Sequence, residues 1–212
     1  MTDKTLSNFK EDFSDWDTYY KKNKVEEMPW YEIHLDHDLE NEIKLRNLSK
    51  GKFLDLGTGP GTQATQLAKL NFDVTATDIS PTAINNAKKL SNKVNFLVDD
   101  ILNSQLSDNE FDFILDRGIF HVFDVSQRPQ YVKQITRILG ENGILFLKCM
   151  SVDEKNIPDN DMPHKLSKQE LIDVFSNDFD IESMDNSVFH GALDIKLKAL
   201  FTILKKKSIV VS

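Results

Sequence analysis

The sequence predicts an α/β fold built on a doubly wound, largely parallel sheet, and three observations lead there. A short apolar run, Lys52-Phe-Leu-Asp-Leu56, breaks into glycines at Gly57, Gly59 and Gly61 and then opens a helical pattern. From Phe53 onward, strand-like and helix-like segments alternate, the mark of parallel strands joined by crossover helices. Successive strand-like runs end on carboxylates, at Asp78 and at Asp99-Asp100.

The elements follow in order. Phe9, Phe13, Trp16 and Tyr20 recur at four-residue spacing, which predicts an amphipathic helix near the start. Asp36 caps a helix running to about residue 48, with Leu39, Ile43 and Leu48 turned inward. The glycine loop has a physical purpose: glycine tolerates positive φ and allows close approach of the main chain, while a strand turning into a helix there aims N–H groups and the positive helix end at an anionic group. Such a loop also occurs for turning alone, so its surroundings decide. Ala64, Leu67, Ala68 and Leu70 form the following helix, and Phe72–Asp78 alternates as a strand. Asp78 lies about 20 residues beyond the first glycine, where doubly wound folds place an acid for two ribose hydroxyls. Ile79 adjoins it, and Ser80-Pro81 is an N-cap followed by a first-turn proline.

Val94–Ile101 is the next strand with its acidic end, and Phe111–Asp116 the one after, leading into Arg117-Gly-Ile-Phe-His121. Ser126 is expected to cap a helix whose face carries Tyr131, Val132, Ile135, Ile138 and Leu139. Gly140 ends it, and Ile144–Lys148 re-enters the sheet with Cys149 as a small core residue. Residues 151–165 read as a polar loop over the carboxyl ends of the strands, where ligands bind in open α/β sheets. Ser167 and Glu170 form a capping-box pattern for a helix to Phe175, and strands near 179–184 and 196–204 close the chain.

With Asp55-Leu-Gly57-Thr58-Gly59-Pro-Gly61, Asp78 and Val94–Ile101 in place, the chain resembles a class I S-adenosylmethionine-dependent methyltransferase. The resemblance implies a Rossmann-like, seven-stranded sheet ending in an antiparallel hairpin. It also implies a single domain over 1–212: an N-terminal lid in 1–50, a cofactor core in 51–150, and a substrate loop with the hairpin in 151–212. By the same resemblance Asp55 faces the methionine amino group of S-adenosylmethionine, Gly57 to Gly61 with Thr58 line the methionine and ribose, and Asp78 takes the ribose diol. Asp100 takes the adenine amino group beside Ile101, with Asp99 exchanging for it on a one-residue slip. Trp16-Asp-Thr-Tyr19 and Met28-Pro-Trp30 are similar to the lid of thiol, halide and thiopurine methyltransferases, which implies Trp30 near the methionine end. Asp116-Arg117-Gly118 looks like the same group, in which the arginine faces substrate, and Asp116 is counted with the cofactor residues. Pro163-His164 resembles their substrate-side loop, so Arg117 and His164 are the candidate catalytic residues. The Asn/Asp-Pro-Pro-aromatic motif of amino-methylating enzymes is absent.

A length of 212 residues, with 40% hydrophobic and 28% charged residues, suits one globular domain. No run approaches the ~20 apolar residues that cross a bilayer. A net charge of −8 disfavours a nucleic-acid surface, so a small-molecule substrate is expected, with the protein a monomer or homodimer. A lone cysteine and no apolar leader favour the cytoplasm. Lys205–Lys207 reads as a solvated guard against edge pairing. His34 and His37 lack the further ligands that zinc requires, so no metal is expected.

The expected reaction is methyl transfer by in-line displacement, in which positioning alone can supply ~7–11 kcal/mol. A thiolate or halide needs no base at transfer, whereas an alcohol or amine usually does. Arg117, His121, His164, His34 and Tyr31 are the groups from which assistance could come, with His121 expected to pack or hydrogen-bond beneath the loop. Arg117 either holds an anionic nucleophile or forms an ion pair with Asp116 or a nearby acid. The loop at 153–161 is acidic where an anion pocket would be basic, leaving the acceptor open. Other classes consistent with the cofactor motif are a non-catalytic S-adenosylmethionine-binding module, an enzyme with a protein acceptor, and a nicotinamide-dependent reductase; the glycine spacing and terminal hairpin weigh against the last.

Overall fold

The computed structural model describes residues 15–158, 162–192 and 195–208. Its seven strands are β1 (Lys52–Leu56), β2 (Asp73–Asp78), β3 (Val94–Val98), β4 (Phe111–Arg117), β5 (Leu139–Met150), β6 (Phe179–Phe189) and β7 (Leu197–Lys206). They form one sheet in the order β3-β2-β1-β4-β5-β7-β6. The first five are parallel, and β7 runs antiparallel between β5 and β6. This is the Rossmann-like sheet with its C-terminal antiparallel hairpin. The order reverses at β1/β4, so a crevice opens at the carboxyl ends of these two strands.

The helices are α1 (Trp16–Lys22), α2 (His37–Leu45), α3 (Thr62–Lys69), α4 (Pro81–Ala87), α5 (Arg128–Ile138) and α6 (Lys168–Phe175). Side chains alternate across each strand, so neighbouring residues serve different cores. Leu54 and Leu56 pack with Ile114, Leu145 and Leu147 against α5 and α6 through Tyr131, Ile135 and Phe175. Phe53, Val74, Ala76 and Phe146 point the other way, against Ile43 of α2, Leu67 of α3 and Ile84 of α4.

Local signals account for most boundaries. Asp36, Ser80 and Ser167 cap α2, α4 and α6 by accepting from Asp38, Ala83 and Glu170 N–H, and Glu170 completes the box by accepting from Ser167 N–H. Ser126 is not a cap: α5 begins after Gln127, which makes no side-chain cap bond, with Pro129 in its first turn. β5 starts at Leu139 rather than Ile144, because the Gly140–Gly143 turn is absorbed as a pairing irregularity opposite Phe111 and Phe113. The lysine run is not simply solvated either. β6, not β7, is the edge strand, and Lys206 Nζ is buried, donating to Leu139 O at 2.6 Å and Asn109 Oδ1 at 3.0 Å. Leu70 is the C-cap of α3 and is exposed. Phe9 and Phe13, and residues 159–161 of the acidic loop, lie outside the described residues. No described helix is long and apolar enough to cross a membrane.

Candidate active site

A cleft enclosing about 200 Å³ lies at the carboxyl ends of the strands. The topology splits it. One half is bordered by Leu56 and Gly57 after β1, Thr77, Asp78 and Ile79 after β2, and Asp99, Asp100 and Ile101 after β3. The other half is bordered by Arg117, Gly118, Ile119, His121, Val122 and Phe123 after β4, Met150 after β5, Met162 and Pro163 of the following loop, and Phe189 and Leu197 of the hairpin. Trp16, Tyr20, Pro29 and Trp30 roof it.

The glycine loop is held by the acids around it. Gly57, Gly59 and Gly61 have φ of +64°, +50° and +80°, a region where a side chain is strained. Gly59 N–H donates to Asp78 Oδ2 at 2.9 Å and Ser80 N–H to Asp78 Oδ1 at 2.9 Å, which fixes the carboxylate at the cleft wall. Burial pushes Asp78 up to about 6 against those bonds. Thr77 Oγ1 and Asp99 Oδ2 are buried without a partner among the described residues, although the residues that carry them border the cleft. Asp99 Oδ1 accepts from Gln105 N–H; Asp100 caps the 3-10 turn Ile101–Asn103, accepting from Leu102 N–H and Asn103 Nδ2.

Several expected site residues have other work. Asp55 does not border the cleft: 2% exposed, it braces the loop by accepting from Thr58 Oγ1 at 2.5 Å and Ala64 N–H at 3.0 Å, and burial raises it to about 6. Thr58 is therefore a strut for Asp55. Only Gly57 of the three glycines borders the cleft; Gly59 lies under Tyr20 Oη, and Gly61 would put a Cβ 2.6 Å from Ala87 Cβ. Asp116, counted with the cofactor residues on sequence, does not border the cleft. It is fully buried, accepting from the N–H groups of Gly118, Ile119 and Phe120 and from Tyr131 Oη, and so shapes the loop after β4. Burial takes it, too, to about 6.

Arg117 reaches the cleft, but its guanidinium is occupied. Nε donates to Asp36 Oδ2 at 2.9 Å, Nη1 to Trp30 O at 3.1 Å and Nη2 to His190 O. The pairing acid is thus Asp36, not Asp116. Lys148, which the sequence reading passed over, completes a buried hub: its Nζ contacts both oxygens of Asp36 at 2.8 and 2.7 Å and Asp38 Oδ2 at 2.7 Å. Burial opposes ionisation of Asp36, but the Lys148 and Arg117 charges prevail and hold it below the usual carboxylate range. This hub ties α2 to β4, β5 and, through Val188 O, β6. The N-terminal segment is tied down beside it. Trp16 and Tyr19 pack on Trp30, and Asp17 accepts from Ser80 Oγ and Thr82 N–H at the start of α4.

His164 is not in the cleft: its ring points to Asp124, with Nε2 3.2 Å from Oδ1, and its backbone N–H donates to His121 O. His34 and Tyr31 do not border it either. His121 does. It lies under the loop as expected, Nδ1 accepting from Met150 N–H at 2.9 Å, and burial lowers it to about 3, so the ring is neutral.

Comparison with known proteins agrees with this geometry. A family model described as a methyltransferase domain matches residues 53–143. A 2-heptyl-1-hydroxyquinolin-4(1H)-one methyltransferase of Mycobacteroides abscessus is 30% identical over 139 residues, 63% of this chain and 61% of that protein, so the match spans less than two thirds of the relative. An uncharacterized methyltransferase of Schizosaccharomyces pombe is 33% identical over 120 residues, 55% of this chain and 82% of that protein. A structure solved for the conversion of a disulfide bond into a thioacetal group during echinomycin biosynthesis superposes with a TM-score of 0.76 at 25% identity, covering 90% of this chain and 91% of that one. The chain belongs to the class I S-adenosylmethionine-dependent methyltransferase family.

Proposed function

We propose that this protein transfers a methyl group from S-adenosylmethionine to a small-molecule nucleophile and releases S-adenosylhomocysteine. The observation that carries this reading is the division of one roofed cleft into two chemically different halves: carboxylates and a glycine loop on one side, an almost wholly apolar wall on the other. The residues of the first half fit the cofactor. Asp78 presents a fixed carboxylate suited to a diol, Asp99 and Asp100 supply acceptors for an amino group beside the apolar Ile79 and Ile101, and Thr77 Oγ1 and Asp99 Oδ2 are buried polar atoms with no partner among the described residues. The bound cofactor supplies an electrophilic methyl group on a sulfonium.

The protein's own contribution is to position and to exclude water. Trp16, Tyr20 and Trp30 cover the cleft, and Arg117 holds this roof through Trp30 O and Asp36. Arg117 is therefore assigned a positioning role. The apolar wall of Ile119, Val122, Phe123 and Phe189 suits a compact, largely hydrophobic acceptor. The named relatives support this: one is named for a hydroxyquinolinone, and one comes from work on a disulfide.

The test is S-adenosylhomocysteine release over a panel of thiols, halides, carboxylic acids, phenols and amines. Turnover of one small-molecule class is expected, reduced in Arg117→Ala. Turnover of a protein acceptor with none of the small ones would overturn the small-molecule assignment.

A further inference from the structure

The acceptor half of the cleft contains a polar group whose direction is fixed by the backbone. Met150 N–H donates to His121 Nδ1, and that bond needs the Nδ1 lone pair, so the ring proton sits on Nε2. Nε2 has no hydrogen-bond partner among the described residues. Gly118 keeps it open: with φ +104°, it would place a Cβ 3.3 Å from Nε2 and 3.4 Å from Cε1, so any side chain there would cover the donor. Phe189 stands edge-on to the ring at 5.7 Å, and Ile119, Val122 and Phe123 continue the wall.

We propose that His121 is the acceptor-recognition residue: its Nε2–H receives the ionised heteroatom of a small, largely apolar acceptor that enters the cleft already deprotonated. The inference rests on the methyl-transfer reading above and names the substrate class for that site. Among the described residues bordering this half, Arg117 and His121 are the only ionisable side chains beneath the roof, and the roofing Tyr20 is kept protonated by burial, which raises its phenol well above the ordinary value. A guanidinium is no base at neutral pH, and the one basic lone pair of His121 is committed to Met150. The carboxylates, Asp78, Asp99 and Asp100, border the opposite half. Of the other polar side chains near the ring, His164 approaches through its main chain with its imidazole turned to Asp124, and Asp116 is enclosed by its own donors. Burial keeps the imidazole neutral, so it offers a donor throughout the neutral range.

An anionic acceptor makes the chemistry balance without a base. Its lone pair forms the new bond to the methyl carbon as the carbon–sulfur bond breaks and its pair stays on sulfur. An anion and a sulfonium become two neutral products, and no proton has to be removed. Thiolates, phenolates and ionised N-hydroxy groups meet this requirement; amines, which must lose a proton after transfer, do not.

The test uses protein saturated with S-adenosylhomocysteine and 4-nitrophenol as probe, whose visible absorption reports its ionisation, with 4-nitroanisole as the neutral control. Saturation is verified first by calorimetry; failure at that step refutes the methyl-transfer reading, and this inference with it. With the cofactor product bound, 4-nitrophenol is expected to bind as the phenolate in preference to 4-nitroanisole. Two variants separate recognition from structure. His121→Asn keeps an oxygen where Nδ1 accepts from Met150 but does not reach the cleft; His121→Gln reaches the cleft but gives up that anchor. Phenolate binding is expected to fall about 10- to 100-fold in His121→Asn and to be substantially retained in His121→Gln, with 4-nitroanisole little changed in either. With S-adenosylmethionine, 4-nitrothiophenol should be methylated and benzylamine not, the rate following the acceptor's own ionisation. No preference for the phenolate, whether both probes bind alike or neither binds, overturns the proposal, as does a larger loss in His121→Gln than in His121→Asn.

Discussion

Replacing Asp36 by asparagine should cost this protein a large share of its stability, and the size of the loss follows from the hub that Asp36 anchors. Its side chain is 1% exposed, facing Lys148 at 1% and Arg117 at 7%. Asparagine keeps the volume and the oxygen that caps Asp38 N–H, so α2 retains its cap while two buried cations lose their shared anion. Removing one partner of a buried ion pair costs about 3–5 kcal/mol. Asp38 Oδ2 still contacts Lys148 at 2.7 Å and softens the loss toward the lower end. A loss of about 3 kcal/mol lowers Tm by about 6–12 °C for a chain of this size. Urea unfolding followed by circular dichroism gives the midpoint, with Glu40→Gln as control because its pair with Lys44 is exposed and worth under about 1 kcal/mol. Since the cations hold Asp36 below the usual carboxylate range, its contribution is present at neutral pH and is lost as pH falls through that lowered value, so the difference between wild type and Asp36→Asn should shrink in strong acid. A variant within 1 kcal/mol of wild type at pH 7 would refute the reasoning.

Two further outcomes follow from the same geometry. Burial raises Asp78 to about 6, and since its folded value lies above the unfolded one, deprotonation costs stability as pH rises through that window, about 3 kcal/mol at neutral pH. A bound diol donates to the ionised form and offsets that cost, so the thermal stabilisation by S-adenosylhomocysteine should be larger at pH 7.5 than at pH 5, and Asp78→Asn should flatten the dependence. Gly57→Ala would put a Cβ into Ile119 Cδ1 at φ +64°; unfolding should show a loss of at least about 1–2 kcal/mol, part of which Ile119→Ala restores by removing the overlap but not the backbone strain.

Much of this architecture was legible in the chain because its signals are local. The Ser80-Pro81 start, the Ser167/Glu170 box and the glycine loop each declare themselves within a few residues, and the helix and strand periods do the rest. The site was legible only in outline. Asp55, Thr58 and Asp116 sit where acids and hydroxyls of a cofactor loop are expected, yet the Thr58 hydroxyl and Ala64 N–H donate to Asp55, and Tyr131 Oη with the amides of residues 118–120 donates to Asp116, so the protein's own donors engage both carboxylates. Arg117 borders the cleft, but its partner lies 81 residues away, beyond the reach of any local pattern. Lys148 left one trace: a charge inside the apolar run Ile144–Met150, which a buried strand tolerates only when an anion meets it. Ser126 and the lysine run misled because caps and edge positions depend on which neighbours arrive, and β6 arrives outside β7.

The measurement that tests the account most directly is calorimetric titration of the protein and of Asp78→Ala with S-adenosylhomocysteine, with NADH as the competing ligand. The account predicts saturable one-site binding of S-adenosylhomocysteine, a fall of about tenfold or more in Asp78→Ala from the loss of charge-assisted hydrogen bonds, and no binding of NADH. Unchanged affinity in Asp78→Ala, or a wild-type protein that takes NADH and not S-adenosylhomocysteine, would contradict it.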